Sequence, residues 1–233
     1  MTTAIEERDG RARFVLETAS PLYQERLEHL GYGSIGDDAF ATPWFERSPR
    51  TQAYYERFAA SIEQMMLQSA RLVPVPWEEA LREFLRRVDG VELKWWLYGS
   101  AALAVRGLEV EPGDIDFNMD SRAAARIFDD LLITPVLELQ AWAAKRVGRA
   151  FHHAIIEWVS DPHPETDDPA APQEHGPFVA TALETVEWDG HRVWVPPLSA
   201  QLRSCELRGL ADRAELIRGA MRLSASGGIR PRS

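Results

Sequence analysis

The chain has 233 residues, 45% apolar and 27% charged, with a formal net charge of -10. That length accommodates one sizeable core plus an accessory segment, and the acidity argues against a broad basic footprint for nucleic acid. Cys205 is the sole cysteine, which excludes an intrachain disulfide and a cysteine-based zinc site.

Residues Met1 to Gly10 are polar and lack the apolar stretch of a secretory leader. No run approaches the roughly 20 apolar residues that span a bilayer, so the expectation is a cytoplasmic protein. Residues 1–75 are expected to form a helical accessory segment. Tyr23, Leu27 and Leu30 recur at helical spacing before Gly31. A loop with Pro43 and Pro49 follows, then a helix from Thr51 to about Leu72 with Tyr54, Phe58, Ile62, Met65 and Met66 on its apolar side. Residues 76–223 are expected to form the main domain, and 224–233 a disordered tail.

Pro76 precedes a helix whose apolar face carries Trp77, Ala80, Leu81, Phe84 and Leu85. After the turn at Asp89-Gly90, Leu93 to Tyr98 reads as a buried strand. Ser100 to Arg106 reads as a short helix and Ile115 to Met119 as a short strand. A helix capped by Asp120 or Ser121 is expected to run through Leu132. A further helix is expected around Leu139 to Arg146, and a strand from Phe151 to Val159. The segment Asp161 to Gly176, rich in Pro, Asp and His, is expected to be an exposed loop. Phe178 to Trp188 and Arg192 to Val195 flank Asp189-Gly190, a hairpin signal. The helical stretch Leu198 to Leu223 is interrupted near Gly209.

The chemistry-bearing pattern is the strand into Gly99-Ser100, followed by Asp114-Ile115-Asp116. A strand–Gly-Ser–helix junction presents backbone N–H groups toward a phosphate, with Gly99 allowing close approach and Ser100 adding a hydroxyl. Carboxylates two apart on a strand project from one face. Their repulsion is relieved by a cation, and Mg²⁺ combines one or two carboxylates with substrate phosphates. His152 and His153, adjacent on a strand, would face opposite sides and form no matched metal pair. His163 and His175 flank the acidic loop, the several tryptophans are mainly core candidates, and Cys205 has no His partner.

The Gly99-Ser100 and Asp114-Ile115-Asp116 pair resembles the signature of the polymerase-β-like nucleotidyltransferase superfamily. Within it the chain is similar to small bacterial antibiotic-modifying and minimal nucleotidyltransferases, over roughly Val91 to Pro197. The resemblance implies an α+β fold, with a small mixed sheet flanked by helices. It implies Mg²⁺ on Asp114 and Asp116, and an NTP, ATP first, held at Gly99 and Ser100. The third carboxylate it implies is best matched by Glu157, with Glu184 and Glu187 as substitutes. Positive charge for the departing pyrophosphate falls to Arg106, Arg203, Arg208 or Arg213, with Arg106 and Arg213 preferred. The implied reaction moves AMP to a hydroxyl acceptor, a small molecule in preference to a protein or tRNA. The acidity leans toward a cationic acceptor such as an aminoglycoside. The competing expectation is a non-catalytic, antitoxin-like module that keeps the fold.

Overall fold

The computed structural model describes residues 1–138, 144–162 and 182–225. Its first third is built around strands. β1 (Thr2–Arg8) and β2 (Arg11–Glu17) form an antiparallel hairpin. It turns at Asp9-Gly10, both left-handed with φ of 51° and 76°, the conformation a two-residue hairpin turn demands. Ala12, Phe14 and Leu16 fall at every second position of β2 and are fully buried. Short strands β3 (Gly33–Ser34), β4 (Ala39–Ala41) and β5 (Phe45–Glu46) complete a five-stranded sheet. The expected helical segment therefore needs correcting. Only α1 (Pro21–His29) and α2 (Thr51–Ser69) are helices there. The period of two in Ala12-Phe14-Leu16, set off by an Asp-Gly turn, outweighs the helical spacing read further along.

α1 begins at Ser20, whose side chain caps the Tyr23 N–H. α2 buries Tyr54, Phe58, Ile62, Met65 and Met66 and is anchored to the rest of the chain by polar contacts. Arg57 donates to the carbonyls of Leu132 (2.6 Å) and Asp129 (3.2 Å), and Gln68 donates to the carbonyl of His153 (2.6 Å). One continuous apolar core joins Phe14 and Phe58 to Phe84, Phe117 and Trp158.

α3 (Trp77–Val88) buries Ala80, Leu81, Phe84, Leu85 and Val88. Phe84 stacks on Phe117 at 3.7 Å between ring centres and meets Trp95 edge-on at 4.9 Å. The second sheet has the order β6-β7-β10-β9-β8. Its strands are β6 (Trp95–Tyr98), β7 (Ile115–Met119), β8 (Leu137–Glu138), β9 (Ala144–His152) and β10 (Ala154–Pro162). β7 and β10 run parallel, while the other pairings are antiparallel.

The expected single strand from Phe151 to Val159 is two strands folded back at His153, whose φ is 63°. His152 closes one strand and His153 makes the turn, so the pair does not straddle a strand; the rings meet edge to face at 4.3 Å. The helix expected around Leu139 to Arg146 is also corrected, because residues 144–146 belong to β9; 139–143 lie outside the described residues. Gly148 explains part of the pairing: a Cβ there would come within 2.2 Å of the Trp158 ring. The tryptophan fills the space where β9 has no side chain.

α4 (Gly99–Ala104) follows β6, and α5 (Ser121–Ile127) starts at Asp120, whose carboxylate caps the Ala123 N–H at 2.8 Å. α5 stops before the expected Leu132. The carbonyls of Ile127, Asp129 and Leu132 accept from Arg87 and Arg57, and Phe151 N–H bonds the Leu131 carbonyl. Those partners replace the helical ones. β11 (Glu184–Trp188) and β12 (His191–Val195) form the expected hairpin at Asp189-Gly190. Residues 178–181, read as the start of its first strand, and 163–176 of the expected loop lie outside the described residues. α6 (Leu198–Leu207) and α7 (Ala211–Ala225) pack through Cys205, Ala214 and Ile217 onto Leu103 of α4. Residues 226–233 of the expected tail are likewise outside the described residues, while 224 and 225 end α7. Among the described residues no helix is long and apolar enough to cross a membrane.

Candidate active site

Alternation along the second sheet determines which residues reach the site. In β7, Ile115 and Phe117 are fully buried, so Asp116 takes the other face. Pairing then carries that face across four strands: Tyr98 opposes Asp116, Asp116 opposes Glu157, and Glu157 opposes Arg149. Asp114 precedes the strand by one residue. The loop before it is held by Arg71, whose guanidinium donates to the carbonyls of Pro112 (3.1 Å) and Glu111 (3.0 Å).

Gly99 is required twice over. Its φ is +67°, and a Cβ would lie 2.5 Å from Oδ2 of Asp116. The strand-to-helix turn therefore touches the carboxylate directly. Ser100 is buried at 6% exposure in the first turn of α4.

The acids are held in an unfavourable setting. Burial, reinforced by the Glu157 charge, pushes Asp114 up to about 6, against the pull of Arg149, Arg71 and Arg213. Burial and the charges of Asp114 and Glu157 hold Asp116 well above the usual carboxylate range, opposed by Arg208 and Arg213. Burial, with the same three carboxylates, raises the Tyr98 hydroxyl as well. Arg149 answers part of this charge. Its Nε donates to Glu157 Oε2 at 2.8 Å, Nη2 donates to the same oxygen, and Nη1 donates to the Leu30 carbonyl at 3.0 Å. Burial alone would lower the Arg149 pKa, but the Glu157 and Tyr32 interactions outweigh it and leave it raised.

These groups line a cavity of about 570 Å³, within the size range of small-ligand sites. Tyr98, Gly99, Asp114, Asp116 and Glu157 contribute from the sheet and its turn. Gln201, Ser204, Cys205, Arg208 and Arg213 enter from the C-terminal helices. His29, Leu30, Gly31, Tyr32, Thr42 and Pro43 come from the N-terminal third. Of the residues expected from sequence, Gly99, Asp114, Asp116, Glu157, Arg208 and Arg213 are brought together, while Arg203 does not line the cavity. Ser100 lies among the buried residues rather than along the cavity wall. Arg106 is committed elsewhere: Nη2 donates to Glu184 (2.6 Å) and to the Pro196 carbonyl (2.8 Å), tying the β11–β12 hairpin to α4. Glu184, a substitute for the third carboxylate, is spent in that pair.

Arg149 and the N-terminal residues were not legible beforehand. One signal could have found Arg149: a hairpin centred on His153 places residues 149 and 157 opposite each other.

The donor set fits a magnesium ion that arrives with its phosphates. Among the described residues no three His, Cys, Asp or Glu side chains are grouped to hold a metal alone, and Glu157 is engaged by Arg149. Asp114 and Asp116 remain as a carboxylate pair, the number Mg²⁺ commonly takes from a protein when phosphates supply the rest.

No family model and no curated protein matches the chain. Among solved structures it is similar to the candidate nucleotidyltransferase TM1012 from Thermotoga maritima, at 20% identity and a TM-score of 0.45, covering 64% of this chain and 96% of that one. It is also similar to ANT(2")-Ia, solved in complex with adenylyl-2"-tobramycin, at 16% identity and a TM-score of 0.34, covering 63% and 97%. Neither likeness is close enough to carry an activity across.

Proposed function

We propose that the chain is a Mg²⁺-dependent nucleotidyltransferase that moves a nucleoside monophosphate, AMP from ATP first, to a hydroxyl of a small molecule and releases pyrophosphate. The observation that carries this reading is the row Asp116–Glu157–Arg149 across adjacent strands, with Asp114 beside it and Gly99 packed on Asp116. Buried like charges cost stability unless a cation relieves them.

Asp114 and Asp116 would hold the metal, which when bound would neutralise phosphate charge and polarise the transferred phosphoryl group. Gly99, lacking a side chain, leaves room for phosphate oxygens beside Asp116. Arg208 and Arg213 offer positive charge to the departing pyrophosphate. With Oε2 of Glu157 bound by Arg149, Oε1 is the oxygen that would take the acceptor's proton. Ser100 is buried in the first turn of α4, and Arg106 is reassigned from phosphate binding to bracing the hairpin.

The test is incubation with Mg·ATP and a pool of hydroxylated small molecules, following pyrophosphate and a mass gain of one AMP on any acceptor. Both signals support transfer. A second reading, a nucleotide-binding module without transfer, draws on the Arg149–Glu157 ion pair, which occupies the group assigned as base. Nucleotide binding with no pyrophosphate from any acceptor would favour that reading.

A further inference from the structure

We infer that the N-terminal segment forms the acceptor-selecting wall of this site, and that the acceptor it fits is a neutral, partly apolar molecule bearing hydroxyls. This rests on the nucleotidyltransferase reading and adds the acceptor's chemical class to it.

Position comes first. Leu30 to Tyr32 and Thr42-Pro43 line the same cavity as the carboxylates. The Leu30 carbonyl is bonded to the guanidinium that holds Glu157. The end of α1 is thus one residue removed from the group assigned to accept the hydroxyl proton. A wall at that distance contacts whatever carries the hydroxyl.

Its chemistry sets the class. Among the described lining residues the only carboxylates are Asp114, Asp116 and Glu157. The first two are assigned to metal and phosphate, and the third is neutralised by Arg149. Among the described lining residues no anionic group is left over for ammonium groups, and a buried cation without a partner is strongly disfavoured. The chain's net charge of -10, which leans toward a cationic acceptor, is not reflected in the described lining, where Asp114, Asp116 and Glu157 are met by Arg149, Arg208 and Arg213. The N-terminal wall supplies Leu30 and Pro43 beside His29, whose Nδ1 lies 3.1 Å from the Glu25 carbonyl, and the cross-strand pair Leu137 and Val147 continues the apolar surface beyond Arg149. A buried polar anchor stands among them. The Tyr32 hydroxyl is buried beside Arg149 without a hydrogen bond of ordinary geometry. Buried hydroxyls normally have partners, and a ligand hydroxyl or ether oxygen would supply one. The Thr42 hydroxyl already accepts from the Phe14 N–H at 3.0 Å.

The experiment uses the full chain and calorimetry. Mg²⁺ with α,β-methylene-ATP is titrated first, and then neutral alkyl glucosides from methyl to hexyl, with the polycation tobramycin in parallel. Affinity for the glucosides should rise by about three- to fourfold per methylene buried, with no saturable tobramycin binding. Pro43→Asp and Leu137→Asp should flatten the chain-length gradient and create tobramycin binding, with the nucleotide titration on each variant reporting an intact fold. A flat or absent glucoside response, or tighter binding of tobramycin by the unaltered protein, overturns the acceptor assignment if the nucleotide binds normally. Failure of the nucleotide itself to bind removes the underlying reading instead, and this inference with it.

Discussion

The two ends of the cavity are built in opposite ways. The carboxylate end comes from one sheet, with acids on neighbouring strands held by pairing register and by Gly99. The other end is assembled from Leu30 to Tyr32 and Thr42-Pro43, brought in by a separate five-stranded sheet and joined through the shared core. The first end concentrates charge at a cost to stability; the second offers apolar surface and neutral polar groups. The difference separates what binds the nucleotide from what chooses its acceptor. It also predicts that substitutions at the two ends will differ in kind.

The largest effect is expected at Asp116. Asp116→Asn should lower transfer by at least about 10³-fold, as for loss of a group that organises a charged transition state, in a pyrophosphate-release assay. Its neighbour should show the accompanying stability cost. The folded-state value of Asp114, about 6, lies above its ordinary 3.8. Ionising Asp114 therefore opposes folding, an effect that grows as pH rises from about 4 and is complete above about 6. Asp114→Asn should accordingly raise Tm at pH 8 while leaving it little changed near pH 4, which thermal unfolding at the two values would check.

Next comes Gly99→Ala. A methyl 2.5 Å from Asp116 Oδ2, on a backbone with φ of +67°, should cost about 1–3 kcal/mol of stability and displace the carboxylate. Nucleotide affinity should fall along with denaturant midpoint. Arg149→Met strips the countercharge from a half-buried Glu157, which should cost about 3 kcal/mol in urea unfolding. Pairing it with Glu157→Gln should recover much of that loss, because the uncompensated charge is then gone. Were the double variant as unstable as the sum of the singles, Arg149 would be acting through Leu30 rather than Glu157.

The smallest effect lies away from the cavity. Glu83 on α3 is lowered to about 2, first by its bonds to Arg86 and then, against the cost of burial, by Arg87. Its folded-state value is below its ordinary 4.5, so its contribution is present above about pH 4.5 and lost as pH falls toward 2. Glu83→Gln should lower Tm slightly at pH 7 and not at pH 2.

How much of this was legible follows from how local each signal is. Asp114-Ile115-Asp116 and Gly99-Ser100 announce themselves within a few residues, because strand alternation and a turn suffice to place them. Glu157 could be read as an acid among apolar strand residues; its opposition to Asp116 depends on a parallel register that only folding supplies. Arg149 stayed hidden because the turn at His153 has no Gly, Pro, Asn or Asp; a histidine at φ 63° gives no sequence signal. The opposite holds at Asp9-Gly10, where the turn chemistry of the Asp189-Gly190 hairpin is present but Val15 blurs the flanking alternation. Arg106 misled for a general reason: an arginine near a phosphate-type turn looks the same in sequence whether its partner is a ligand or Glu184.

The central claim, a metal-dependent nucleotide site at Asp114 and Asp116, is tested most directly by calorimetric titration of Mg·ATP, Mg·GTP, Mg·CTP and Mg·UTP. The unaltered chain and the Asp114→Ala/Asp116→Ala variant are compared, each with and without Mg²⁺. The account predicts saturable binding, strongest with Mg·ATP, that is lost without the metal and lost in the folded variant. Equal binding by both proteins, or none by the unaltered chain, would contradict it.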